Sequence, residues 1–314
     1  LRFAKWAADR NSPLAARVEV NRIWQAIFGV GLVETSEDFG TRAPLPDHPE
    51  LFDWLAVEFM DRGWSHKQLI KAILTSDTYQ QNSKTTAALK ERDPKNRLLA
   101  RGPRFRTDAE VMRDVALSAA GLLYTPADTG PSVFPPVPAS VLDYNFFRPD
   151  YWKVPTGPDR YRRSLYMFRK RSTPDPLLTT LDAPNGDFAC ARRVRSNTPL
   201  AALVALNEPI FVEAARGLAL RVLREGGMTD EARIEYAFRL TTGRKPTKDD
   251  TADVLELLKS QKAKIGDGWL NPREIATGDP AKLPELPKGV TPTEAAAWVL
   301  AARVLLNLDE TMTK

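Results

Sequence analysis

The chain is predicted to be mainly α: one multi-helical domain over residues 1–314, with long irregular Pro- and aromatic-rich connections and at most a small β-hairpin. Three observations predict this. Apolar residues recur three and four apart in most of the chain, which is helical periodicity. Those stretches open on Ser, Thr or Pro and close on Gly, as helices do. Strand-like alternation is confined to two short runs, Leu32–Thr35 and Arg162–Phe168.

The stretch Asn11–Gly40 is the clearest organising element. Ser12 is placed to cap a helix and Pro13 fits its first position. Val20, Ile23, Trp24, Ile27 and Phe28 form one apolar face, Arg17, Asn21 and Gln25 a polar line, and Gly29 with Gly31 the exit. Before it, Phe3 and Trp6 sit three apart in a short helix end. After it, Pro49 opens a helix with Leu51, Trp54, Leu55 and Phe59 on one face, and Trp24 and Trp54 are both expected in the core. Gly63-Trp64 breaks that helix. Ser65 and Gln68 have capping-box spacing before Leu69, Ile70, Ile73 and Leu74. These elements make a helical unit over residues 1–81.

A second region, 93–195, contains a helix from about Asp108 to Leu123 and then a long loop. Val111, Met112, Val115, Ala116, Ala119 and Leu122 are expected inward, with Arg106, Glu110, Arg113 and Asp114 opposite. From Tyr124 to Asp159 the periodicity vanishes among prolines and aromatics. A loop this long is a lid, a binding loop or an ordered wrap. A third region, 198–310, holds helices at Leu200–Leu206, after Pro209 up to Gly226-Gly227, at Glu231–Thr241, at Lys248–Ile265 and at Thr293–Leu308. Residues 266–290, rich in Gly, Pro and Lys, read as an extended insertion on the surface.

Composition excludes several function classes. Hydrophobic residues are 43% of the chain, yet no run approaches the ~18 apolar residues of a membrane span. The net charge of +5, from 45 basic and 40 acidic residues, is too small and too dispersed for a nucleic-acid binder. One cysteine, Cys190, permits no internal disulfide, no Cys-Xaa-Xaa-Cys-His haem attachment and no multi-cysteine zinc site. Two histidines, His48 and His66, cannot build a His-rich metal centre; no metal is assigned, although composition leaves a carboxylate-bound calcium or magnesium open. Both histidines sit at predicted helix starts. P-loop, dinucleotide, nucleophile-elbow and zincin motifs are absent. The chain starts at Leu1 rather than at methionine and reads as a module of a longer protein.

A set of motifs runs along the chain in order. It comprises Asn21-Arg22-x-Trp24, Phe28-Gly29-x-Gly31-Leu32-Val33, Asp38-Phe39-Gly40, His48-Pro49-Glu50-Leu51 and Trp54-Leu55. It continues through Asp93-Pro94-x-Asn96-Arg97, Glu110-x-x-Arg113-Asp114, Arg162-Arg163-Ser164-Leu165-Tyr166 and Asp182-Ala183-Pro184. It ends with Pro199-Leu200, Leu206-Asn207, Arg244-x-Pro246 and Leu306-Asn307-Leu308-Asp309-Glu310. This pattern resembles the planctomycete cytochrome-c-associated domain of unknown function, the C-terminal module of exported proteins that carry a cytochrome-c-like domain. The resemblance implies export to the periplasm or cell surface, upstream cytochrome-c-like and companion modules as partners, and a place in polysaccharide use. It implies no cofactor in this chain, any haem belonging to a separate upstream domain. It assigns no reaction.

The arginines in or beside these motifs are the leading ligand-binding candidates: Arg22, Arg104, Arg113, Arg162, Arg163, Arg171 and Arg192, with Arg17 and Arg101 nearby. A guanidinium fork suits carboxylate, sulfate or phosphate. Two readings stand. In one, several arginines converge on an anionic polysaccharide. In the other, they pair with Asp38, Glu110, Asp114 and Asp182 and fasten loops to helices. Those same carboxylates are the catalytic candidates of an alternative, a carbohydrate-active enzyme, which needs two carboxyls about 5–10 Å apart across a sugar. Aromatics from Phe146 to Trp152 would stack on sugar rings or close the core. The leading expectation is a non-catalytic interaction or glycan-binding module.

Overall fold

The computed structural model describes residues 1–126, 130–137, 152–282 and 285–313. The aromatic loop from Phe146 to Tyr151 lies outside the described residues; Trp152 lies within them. The chain is mainly α, as expected: the described residues form fifteen α-helices, two 3-10 turns and only isolated β-bridges. Two compact units emerge. One comprises Leu1–Phe105 with Ala189–Arg193, the other Arg106–Phe188 with Val194–Thr313.

The first unit is built on α2 (Ala15–Phe28), after a short exposed α1 (Arg2–Ala7). Val20, Trp24 and Ile27 of α2 pack against Phe52, Leu55, Ala56 and Phe59 of α3 (Pro49–Asp61), and Leu69 and Ile73 of α4 (His66–Leu74) close the core. Ser65 caps α4 by accepting from the Gln68 N–H. Two short helices follow, α5 (Asp77–Gln80) and α6 (Ala87–Arg92). Three expectations change. Helix α2 starts at Ala15, with Leu14 at its N-cap and no side-chain cap, while the Ser12 N–H closes a turn on the Asp9 carbonyl. Trp54 is 54% exposed and Phe52 takes its place inside. The four acids of α3, Glu50, Asp53, Glu58 and Asp61, share the half of the helix that carries Trp54, and that half is the more exposed one.

Leu32–Thr35 is no strand. Asn21, 1% exposed, takes over its backbone: the Asn21 side chain accepts from the Val33 N–H at 2.8 Å and donates to the Val33 carbonyl at 3.0 Å. Asn21 also donates to Ser36 Oγ, which donates on to Gln25. The expected polar line of α2 thus fastens the loop that follows the helix. Gly31 is required there, since a Cβ would stand 2.6 Å from the Val33 carbonyl oxygen. The unit continues past residue 81 because the turn after α6 folds back on it, as detailed below.

The second unit surrounds α14 (Pro292–Leu306), whose Trp298 and five buried alanines allow close helix packing. Around it lie α7 (Ala109–Ala119), α8 (Pro176–Thr180), α9 (Pro199–Asn207), α10 (Pro209–Glu225), α11 (Asp230–Thr241), α12 (Lys248–Gly266) and α13 (Pro272–Thr277). A short α15 (Asp309–Met312) ends the chain's described helices. Thr247 and Asp250 form a reciprocal capping box on α12. The stretch 266–290 is not wholly extended: Asn271 caps α13, Pro272 fills its first position, and Ala276 is buried. On α7, Val111 is half-exposed while Arg113 is only 2% exposed, the reverse of expectation. Arg162–Phe168 forms no strand either. Its Ser164 N–H donates to Asp114, leaving a 3-10 turn (Ser164–Tyr166) and single bridges to Tyr124 and Val133.

Candidate functional site

The candidate arginines do not converge on one place. Arg22, Arg104 and Arg192 belong to the first unit and are exposed; Arg192 pairs with Glu37 at 2.5 Å. Arg113, Arg162, Arg163 and Arg171 belong to the second. Arg113 donates to the Arg162 carbonyl at 2.9 Å, the Arg160 carbonyl at 3.0 Å and Ser164 Oγ at 3.3 Å. Burial pulls its guanidinium below the ordinary arginine range, opposed by Asp114. Arg162, equally buried, donates to the Pro131 carbonyl and lies over the Tyr166 ring at 4.4 Å. Arg163 and Arg171 are exposed, 3.8 Å from Asp114 and 3.6 Å from Asp187 respectively.

The four candidate carboxylates are all engaged. Glu110 pairs with Arg169, and Asp38 with Arg42 at 3.1 Å. Asp114 accepts from both the N–H and Oγ of Ser164 at 2.8 Å. Asp182 accepts from Ser196 N–H and Oγ and pairs at 2.5 Å with the buried Arg106. Burial raises the Asp182 pKa, but Ser196 and Arg106 outweigh it and hold the carboxyl below its usual value. Asp182 adopts φ +60°, a left-handed conformation that costs free energy unless its surroundings enforce it.

A pocket lies elsewhere, wholly within the first unit. It measures about 330 Å³, near the lower end of small-molecule sites. Trp24 and Phe28, one helical turn apart on α2, form its wall with rings stacked at 4.1 Å and 17°. Val30, Gly31, Leu32 and Leu99 add apolar surface. The polar lining is Glu34, Asp47, His48, Lys95, Asn96 and Arg97.

These polar residues come from three segments that Arg97 ties together. Its guanidinium donates to Glu34 at 2.8 Å and to Asp47. Its carbonyl accepts from His48 Nε2 at 2.8 Å, which fixes the proton of a neutral His48 on Nε2. Lys95 reaches Glu34 at 3.4 Å. The turn carrying Lys95 and Arg97 is itself built in. Asp93 accepts the N–H groups of Arg97 and Leu98, Asn96 donates to the Arg101 carbonyl, and Arg101 donates back to the Asp93 carbonyl. Burial raises the Asp93 pKa, but those N–H bonds and Arg101 leave it lowered. Asn96 and Leu99 both have positive φ, 55° and 54°. Asparagine tolerates this conformation, but leucine rarely adopts it, so the surroundings of Leu99 enforce it.

The rim therefore carries two acids and two bases in mutual contact, with no net charge when His48 is neutral. It offers donors and acceptors beside flat apolar rings. Sequence reading missed Glu34, Asp47, Lys95 and Arg97 as site residues; it placed His48 at a helix start and Trp24 in the core, and both placements hold, since His48 is the N-cap of α3 and Trp24 is 5% exposed. A signal existed: three motif segments, Asn21–Val33, His48–Leu51 and Asp93–Arg97, all supply this pocket.

Fold and pocket together define a mainly α protein with a ligand-sized cleft in its N-terminal unit. The chain belongs to the PSD1 family, proteins of unknown function (DUF1553), whose model matches residues 1–258. No curated protein and no solved structure matches it. The family match spans every residue lining the pocket. Among the described residues, no helix is long and apolar enough to cross a membrane.

Proposed function

We propose that this chain is a non-catalytic glycan-binding module and that the Trp24–Phe28 pocket receives a sugar residue. One observation carries the reading. The half-buried Phe28, backed by the buried Trp24 on which it stacks, borders a rim where acids and bases alternate, a combination suited to the C–H face of a pyranose and to hydrogen bonds with its hydroxyls. The non-catalytic half rests on the carboxylates: Glu110, Asp114, Asp38 and Asp182 are each engaged by arginine or serine. The ordered motifs support the wider setting, an exported module acting beside a cytochrome-c-like domain of the same polypeptide in polysaccharide use.

The test is a glycan panel on the purified chain, followed by titration of the hits and a search for turnover. Saturable binding of a neutral sugar is expected. Val30 lines the mouth and is half-exposed, so Val30→Trp fills the pocket from outside while leaving the core intact; it should abolish binding at unchanged helicity. Binding by no glycan, or binding indifferent to Val30→Trp, would overturn the pocket assignment. Release of reducing ends from any hit would overturn the non-catalytic reading. The cytochrome association is tested by reading the coding sequence upstream of Leu1 for Cys-Xaa-Xaa-Cys-His.

A further inference from the structure

A second cavity, of about 340 Å³, lies in the other unit. Its polar lining includes two arginines, Arg216 of α10 and Arg303 of α14, and one acid, Glu274. Neither arginine has a carboxylate partner among the described residues. Both are instead aimed by backbone carbonyls. Arg216 Nε donates to the Ile275 carbonyl at 2.9 Å and its Nη2 to the Glu274 carbonyl at 3.4 Å. Arg303 grips the Leu206 carbonyl twice, at 3.0 and 2.7 Å, and reaches Asn207 Oδ1 at 3.2 Å. Many arginines among the described residues meet a carboxylate; Arg216 and Arg303 differ from those in meeting only carbonyl oxygens, backbone or amide, while lining one cavity together. Burial draws Arg216 below the ordinary arginine range; Glu213 opposes that and the like charge of Arg303 adds to it. Two like charges held by carbonyl dipoles beside an apolar wall are costly unless an anion joins them.

The same cavity carries an apolar platform. Val212, Val299 and Leu300 line it, and Trp269 stands at its edge, 83% exposed. Trp269 lies in the short link between α12 and α13: its backbone N–H donates to the Lys264 carbonyl near the end of α12, and α13 begins three residues later. An exposed indole beside two guanidinium groups is suited to a ring that carries a charge.

We propose that this cavity binds a sugar ring bearing a single negative charge, a uronate carboxylate or a sulfate monoester. The anion joins Arg216 and Arg303 and the ring lies on Trp269. Two guanidinium charges less that of Glu274 leave one positive charge to neutralise, which favours a monoanion over a phosphate monoester. Most of the cavity's lining lies beyond residue 258, outside the stretch that the family model matches. It does not depend on the pocket in the first unit.

Saturation-transfer NMR and tryptophan fluorescence titration of the intact chain, with glucuronate, glucose 6-sulfate and glucose as probes, test the inference. At least one of the two monoanions should bind saturably, and at least tenfold tighter than glucose competing for the same cavity. Trp269→Ala, at an exposed position that leaves the fold alone, should weaken that binding at least tenfold, and Arg303→Gln should do the same with helicity preserved. Val30→Trp should leave monoanion binding unchanged, which separates this site from the other pocket. Failure of both monoanions to bind, equal binding of glucose, indifference to Trp269→Ala, or loss in Val30→Trp would each overturn it.

Discussion

Removing the Asn21 side chain should damage the first unit more than any other single polar truncation there. Asn21→Ala leaves the Val33 N–H and carbonyl, both in a buried residue, without their partners at 2.8 and 3.0 Å. Each orphaned buried group costs about 1–3 kcal/mol, so the expected loss is roughly 2–6 kcal/mol. Urea unfolding measures the loss, and hydrogen exchange at the Val33 amide locates it, since that proton should lose its protection. Asn21→Asp sharpens the argument. Its carboxylate still accepts from the Val33 N–H but faces the Val33 carbonyl oxygen with no proton to donate. Only the protonated acid restores the second bond, so its folded pKa should rise above the unfolded ~3.9. The folded state then binds more protons, and the stability deficit of Asn21→Asp should shrink as pH falls from 7 towards 4. An Asn21→Ala protein within about 0.5 kcal/mol of wild type, with Val33 still protected, would refute the reasoning.

Three other expectations concern the second unit and the core. Burial, reinforced by Asp175 and Glu213, pushes Glu208 up from 4.5 to about 7. The folded state therefore holds a proton that the unfolded state has lost, and stability should fall as pH rises from 4.5 to 7. Glu208→Gln should flatten that slope and stabilise the protein at pH 8 by ~1–2 kcal/mol after allowance for solvent screening, read from thermal unfolding across pH. Asp182→Ala should cost about 3–5 kcal/mol by leaving the buried Arg106 unpaired. Asp182→Asn should cost less, because asparagine tolerates φ +60° and still accepts one bond; equal losses would place the effect outside the ion pair. Phe52→Ala should cost about 3–5 kcal/mol and the half-exposed Trp54→Ala under ~1 kcal/mol, a comparison that denaturant titration decides.

The helices were legible because their boundaries are local. Ser65 caps the helix that its spacing to Gln68 predicts, and Gly29 ends α2 with φ +85°; Thr247 and Thr291 cap α12 and α14 by the same local chemistry. Helix faces were less legible. Arg113 reads as a surface residue, yet it is buried because two carbonyls some fifty residues away turn towards it. Asn21 hid a strand-like run in the same way, by taking backbone bonds that a sheet would have used. The candidate site was half legible. Motif segments marked its walls, but counting arginines drew attention to guanidinium groups that serve backbone and carboxylate, not a cleft. What determines a ligand-facing arginine is the absence of a competing acid, and no local pattern records that.

The path of the chain between the two units has a practical consequence. It leaves the first unit at Phe105, revisits it at Ala189–Arg193, and then returns to the second. The visiting strap carries Arg192 to Glu37 and holds the only cysteine, Cys190, on the surface. A fragment cut at residue 105 would therefore lack a piece of its own fold, and one nick anywhere would not yield two whole halves. Dissection calls for circular permutation or co-expression, and a thiol dye on Cys190 would report on the N-terminal unit while the rest of the chain is perturbed.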